Sequence, residues 1–168
     1  NFLLHHKNEF FKDKDKISYN KDLALCLLGS YKLSGKEKSV VLQQLKATSI
    51  DVSQKLANII CEILADYETE LDYDLLKKVL VKTSVLEKAV TVIYHTIRWN
   101  PDNHDVVDEL LALLPLPYSK MTENGKHPII PDTELNRSLL SLLKECNYLS
   151  SFSEDKNGLK VNTRIIKQ

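Results

Sequence analysis

Apolar side chains recur through residues 51–114 at the i, i+3, i+4, i+7 spacing that lines one face of an α-helix. Leu56, Ile59, Ile60 and Ile63 form one such stripe, and Val90, Ile93, Tyr94 and Ile97 repeat it 34 positions later. The same offset carries Leu76, Val79 and Leu80 onto Leu110, Leu113 and Leu114. A helical hairpin is thus written twice in register. A helix pair of this length cannot bury its stripe alone, so the pattern predicts hairpins stacked into a layered array.

Helices are predicted over Val52–Tyr67, Tyr73–Lys82, Ser84–Trp99 and Asn103–Leu114. Asn100-Pro101 ends the third, because a residue before proline is pushed out of the α region, and Pro115 and Pro117 end the fourth. Upstream, Asn20 is placed to cap a helix over Lys21–Tyr31 with Leu23, Leu27 and Leu28 on its apolar face. Ser34-Gly35 breaks the chain, and Lys36–Lys46 continues as a helix through Val40, Val41 and Leu45. Stepping 34 positions back from the central hairpin lands on Leu25, Cys26, Val41, Leu42 and Leu45, but also on Asp22 and Gly29, a frayed first copy. Residues 20–117 therefore read as a repeat region of three hairpins. They resemble HEAT-like helical repeats; the 34-residue length also matches the tetratricopeptide repeat, whose Trp, Gly and Tyr positions are not in register here. The resemblance implies an architecture, and a concave face that binds proteins or peptides, in some families nucleic acid.

The pattern then changes. Residues 118–131, with Asn124-Gly125 and scattered apolar positions, read as a linker. Pro131-Asp132 opens a helix with the stripe Leu135, Leu139, Leu142, Leu143 and Cys146. Tyr148–Phe152 and Leu159–Ile165 read as strands joined at Asn157-Gly158, a dipeptide suited to a type I′ turn because that turn needs φ > 0 twice. Such a turn sets Asp155 opposite Lys160. Helix plus hairpin over residues 132–168 resembles the second half of a winged-helix domain, with helices from the repeat region standing for the first half. Residues 1–19 read as an N-terminal helix or loop, anchored by Phe2, Leu3, Phe10 and Phe11, with sign-alternating Lys12–Lys16 in solvent. The expected fold class is mainly α, stacked α-solenoid-like hairpins with a C-terminal helix and β-hairpin.

Composition narrows the partners. Lys+Arg and Asp+Glu number 23 each, so no global field draws the chain to nucleic acid or an anionic membrane. Cys26, Cys61 and Cys146 lie singly in apolar helical patterns, which favours buried reduced thiols and a reducing compartment, cytoplasmic or nuclear. No run approaches the roughly 18 apolar residues of a membrane span, and the first residues are too short for a secretory core. A chain that begins at Asn1 is expected to be the carboxy-terminal part of a larger intracellular protein.

Candidate chemistry is sparse. Arg98-Trp-Asn-Pro-Asp-Asn-His104 resembles the Arg-x(4–6)-His pattern of HEPN ribonucleases, where Arg holds phosphate and His moves a proton. Trp99 stands where that family usually has a polar residue. A helix–helix corner with Trp99 packed beneath it is the preferred reading. His5-His6 diverge on a helix, His95 suits a partly buried structural role, and His127-Pro128 falls in the linker, so no metal or cofactor is expected. The acidic run Asp66–Asp74 reads as a solvated turn that could also attract a basic peptide. Lys156, Lys160, Arg164 and Lys167 give the last thirteen residues a local +4 that could touch phosphates. The leading expectation is a non-enzymatic scaffold that binds a protein or peptide through Tyr67, Tyr73, Tyr94, Arg98 and Trp99, since aromatics and Arg dominate interface hot spots. Nucleic-acid binding by the basic hairpin, and a ribonuclease built on Arg98 and His104, are the alternatives. No membrane contact is expected.

Overall fold

The 34-residue period is realised as two helical hairpins, one in each of the two units into which the chain divides, Asn1–Val85 and Leu86–Gln168. The structure is a computed structural model. It describes residues 21–30, 32–45, 51–67, 71–121, 123 and 125–163. The predicted helix around Phe2–Phe11, the Asn20 cap, the Cys26 side chain and the cations Arg164 and Lys167 lie outside the described residues. The protein is mainly helical with a small antiparallel sheet at its C-terminal end.

In the first unit, helices α1 (Lys21–Leu28), α2 (Gly35–Gln43), α3 (Gln54–Tyr67) and α4 (Tyr73–Lys82) follow one another. Each packs on the next. Ser34-Gly35 does break the chain, but as a helix start: Ser34 Oγ accepts from the Glu37 N–H at 3.2 Å while the Glu37 carboxylate accepts from the Ser34 N–H at 3.2 Å. This reciprocal capping box satisfies two helix-end donors. Gly35 lies directly under the exposed side chain of Tyr67. A Cβ there would collide with the ring of Tyr67. Ile60, Cys61, Ile63 and Leu64 of α3 and Leu75, Leu76, Val79 and Leu80 of α4 are buried, each large aliphatic contributing about 1.5–3 kcal/mol. Leu56 and Ile59, the other half of the predicted stripe, are only half-buried.

Asp72 caps α4 by accepting from the N–H groups of Asp74 and Leu75. At the other end of α4 the chain is clasped by Asn58, half-buried on α3. Its Oδ1 accepts from Thr83 Oγ1 at 2.7 Å and from the Ser84 N–H at 2.9 Å, and its Nδ2 donates to Ser84 Oγ at 3.0 Å.

In the second unit, α5 (Leu86–Trp99) and α6 (His104–Ala112) form the second hairpin. A short 3₁₀ turn (Tyr118–Lys120), strand β1 (Ile129–Ile130), helix α7 (Glu134–Glu145) and strands β2 (Leu149–Asp155) and β3 (Gly158–Thr163) follow. The stripe Val90, Ile93 and Ile97 is buried, and α5 lies more closely against α7 than against α6, its hairpin neighbour. Pro101 follows α5, and Asn103 caps α6 by accepting from the Val106 N–H.

Three expectations about this unit are corrected. The span 118–131 is not a bare linker: Tyr118, Met121 and Ile130 are buried, and β1 pairs with β3. The stripe of α7 is rotated by one residue, with Asn136, Leu139, Leu140 and Leu143 buried while Leu135, Leu142 and Cys146 are half-exposed. Asn136 can turn inward because its amide Nδ2 donates to Tyr118 Oη and to the Pro131 carbonyl, each at 2.9 Å. The hairpin forms, but one residue earlier than Asn157-Gly158 suggested. Asp155 faces Gly158, Lys160 faces Ser153, and the two turn residues are Lys156 and Asn157.

The reason lies in the third strand. Only Gly158 of the dipeptide has positive φ (+145°), and a Cβ on it would run into the Ile130 carbonyl of β1. Gly158 is thus needed inside β3 rather than in the turn. Asp155 Oδ2 accepts the Asn157 N–H at 3.0 Å and closes the turn through a side chain instead. The sheet order is β1-β3-β2, and a bulge at Ser150 shifts the register near the start of β2.

Candidate functional site

The richest cluster of chemistry-bearing side chains in the second unit lies on the last turns of α5. Positions four apart on a helix are neighbours, so Tyr94 meets Arg98 and His95 meets Trp99. The His95 ring is stacked on Trp99 with centroids 6.2 Å apart and meets Tyr94 edge-on at 6.0 Å. The Arg98 guanidinium lies 5.8 Å from the Tyr94 ring centroid, within cation–π range. His95 is buried, as a structural histidine would be, whereas Trp99 is 39% exposed. Trp99 is therefore not packed beneath the corner; it leans on His95 at the surface.

His104, the other end of the ribonuclease-like stretch, stacks on Tyr148 at 4.1 Å between centroids. The Tyr148 hydroxyl donates to the Pro101 carbonyl at 3.1 Å. Those contacts make Pro101–His104 a packed corner held by the residue that precedes β2.

The five residues expected to bind a partner divide between the two units. Tyr94, Arg98 and Trp99 gather on α5, while Tyr67 and Tyr73 belong to the first unit. Tyr67 is 46% exposed and covers Gly35 with its ring. Tyr73 is half-buried, with Lys77 Nζ 4.6 Å above it. The acidic run is partly used up by structure: Asp72 is a cap, and Asp74 pairs with Lys77 at 3.7 Å. On the hairpin Lys156 and Lys160 are exposed. Arg137, on α7, is held by Asp132 through two bonds of 2.6 and 2.7 Å and by Glu154 of β2 at 2.7 Å. Those bonds hold the Asp132 carboxyl below its ordinary range and raise the Arg137 guanidinium further.

Burial pushes the Cys61 thiol up to about 11. The Cys146 thiol is raised as well, again chiefly by burial. Both are free thiols, and a raised thiol is a poor nucleophile at neutral pH. Among the described residues no three His, Cys, Asp or Glu side chains gather at metal-binding distance.

Sequence reasoning missed one feature, a cleft of about 740 Å³ where α5 begins, beside the 3₁₀ turn and the start of α7. Tyr118 and Asn136 line it, the first read as linker and the second outside the expected apolar stripe. An Asn next to a Leu stripe is the signal that was available, since such a residue turns inward when a partner waits.

No protein-family profile matches the chain, and no solved structure does. Over 162 residues, 96% of its length, it is 25% identical to the "uncharacterized membrane protein YobI" of Bacillus subtilis (strain 168). The chain spans only 13% of that relative. Likeness to a stretch of a large membrane protein overturns the expected function, a binding scaffold within a larger intracellular protein. Among the described residues no helix is long and apolar enough to cross a membrane.

Proposed function

We propose that this chain is an extramembrane segment, on the cytoplasmic side, of a larger membrane-bound protein. One observation carries the reading: nearly the whole chain aligns with 13% of a membrane protein, yet its described helices include none of spanning length and apolarity. The membrane-crossing part of such a protein would then lie elsewhere. The free thiols Cys61 and Cys146 favour the cytoplasmic face, where thiols stay reduced.

In the native cell, the polypeptide carrying this sequence should sediment with membranes. Trypsin added outside should spare it until the membrane is opened, after which exposed lysines such as Lys120, Lys126 and Lys156 become targets. Recovery in the soluble fraction would contradict membrane attachment. Cleavage in intact cells stripped of their wall would contradict the cytoplasmic side.

A winged-helix-like architecture for the second unit is supported by more than the hairpin. Its order is helix, helix, strand, helix, strand, strand, the sheet order is β1-β3-β2, and the two leading helices belong to the same compact unit. An experimental structure of the chain tests this: a different strand order would remove the resemblance.

A further inference from the structure

We infer that the cleft at the start of α7 binds a small organic cation with an apolar body. Its volume of about 740 Å³ lies within the roughly 300–1,000 Å³ of small-molecule sites. Leu86, Val90 and Leu135 supply apolar wall. At its polar end sit Tyr118 and Asn136, 5% and 3% exposed.

These two side chains are joined to each other but not saturated. Both amide hydrogens of Asn136 are committed, to Tyr118 Oη and the Pro131 carbonyl, while Asn136 Oδ1 accepts nothing among the described residues. Tyr118 Oη accepts from Asn136 and has no acceptor for its own proton among them. Asn136 Oδ1 is not sealed off, whereas Tyr118 Oη lies in a buried hydrogen bond. The Asn136 side chain is only 3% exposed, so a ligand that donates to its amide oxygen meets little competition from water.

The sign of the ligand's charge follows from the rim. Glu87 and Glu134 line the cleft, and neither has an ion-pair partner among the described residues. Each stands in the first turn of its helix, where the helix end carries about half a positive charge. First-turn acids are common for that reason alone. Two full carboxylates nevertheless outweigh two half-charges, which leaves the cleft net negative. A primary ammonium could sit at the carboxylates and donate to Asn136 Oδ1, with its hydrocarbon against Leu86, Val90 and Leu135.

Titration of the 168-residue chain with phenethylammonium chloride, followed by amide chemical shifts, tests this. Shifts should concentrate at residues 86–90 and 131–138, and 3-phenylpropionate should bind at least about tenfold more weakly. Glu87→Gln with Glu134→Gln, both at the exposed rim, should weaken the amine about tenfold and bring 3-phenylpropionate closer to it in affinity. Asn136→Leu, with circular dichroism confirming the fold, should weaken the amine by a smaller factor. Equal binding of amine and carboxylate, shifts elsewhere on the chain, or no binding would overturn the inference.

Discussion

The two hairpins share a sequence period and differ in what they pack against. At matching positions 34 residues apart, α3 has Asn58, Leu64 and Ala65 where α5 has Val92, Arg98 and Trp99. Asn58 reaches out of the helix to clasp Thr83 and Ser84, whereas Val92 is buried. Leu64 is buried at the end of α3; Arg98 and Trp99 are exposed at the end of α5. As a result α3 gives its best face to its own hairpin partner, and α5 gives its best face to α7. A repeated stripe therefore specifies that a helix is buried along one side. The residues between stripe positions decide which neighbour does the burying.

The largest effect expected from this contrast is at Ile93. Ile93→Ala should cost about 2–5 kcal/mol in urea unfolding, because the side chain is fully buried. Its counterpart Ile59→Ala should cost about half as much, since Ile59 is half-buried. Equal costs would mean that the two hairpins are packed alike.

Next in size is an alkaline effect centred on the first unit. Cys61 must stay protonated while buried, with its thiol pushed up from the ordinary 9.0 to about 11. A raised acid group leaves stability unchanged below pH 9 and lowers it between about pH 9 and 11. The loss should be about 1–3 kcal/mol by pH 11, and Cys61→Ala should flatten that slope. Cys146 contributes in the same direction from the second unit.

Asn58→Ala should cost about 1–2 kcal/mol by removing the acceptor for Thr83 and Ser84. Smaller still are the caps. Ser34→Ala should lower stability by about 1 kcal/mol, and Thr133→Ala, which frees the Asn136 N–H, by a similar amount. The smallest change belongs to Arg137→Ala. Its partners Asp132 and Glu154 are solvated, so the main expected sign is that Asp132 titrates nearer its ordinary value on acidification.

Helix content was legible because apolar positions repeat at helical spacing; α4 matches its predicted span of Tyr73–Lys82. The C-terminal hairpin was legible too, as a pair of alternating runs around a turn dipeptide. Its register was not, because the constraint on Gly158 comes from β1, 28 residues away in sequence. β1 itself is two residues long, too short for any periodic signal. The rotation of α7 depended on Asn136 finding Tyr118, a contact that no local pattern announces. The candidate residues on α5 were visible as aromatics near an Arg. Their division from Tyr67 and Tyr73 was not, because a repeat period continues straight across the boundary at Val85.

The central claim is that one period builds two units, each with its own core. Hydrogen exchange on Asn58→Ala and wild-type protein, compared helix by helix, tests it most directly. Protection should fall in α3 and α4 and stay unchanged across α5–α7 and the three strands. A uniform fall through residues 86–163 would contradict the division and make the chain a single cooperative body.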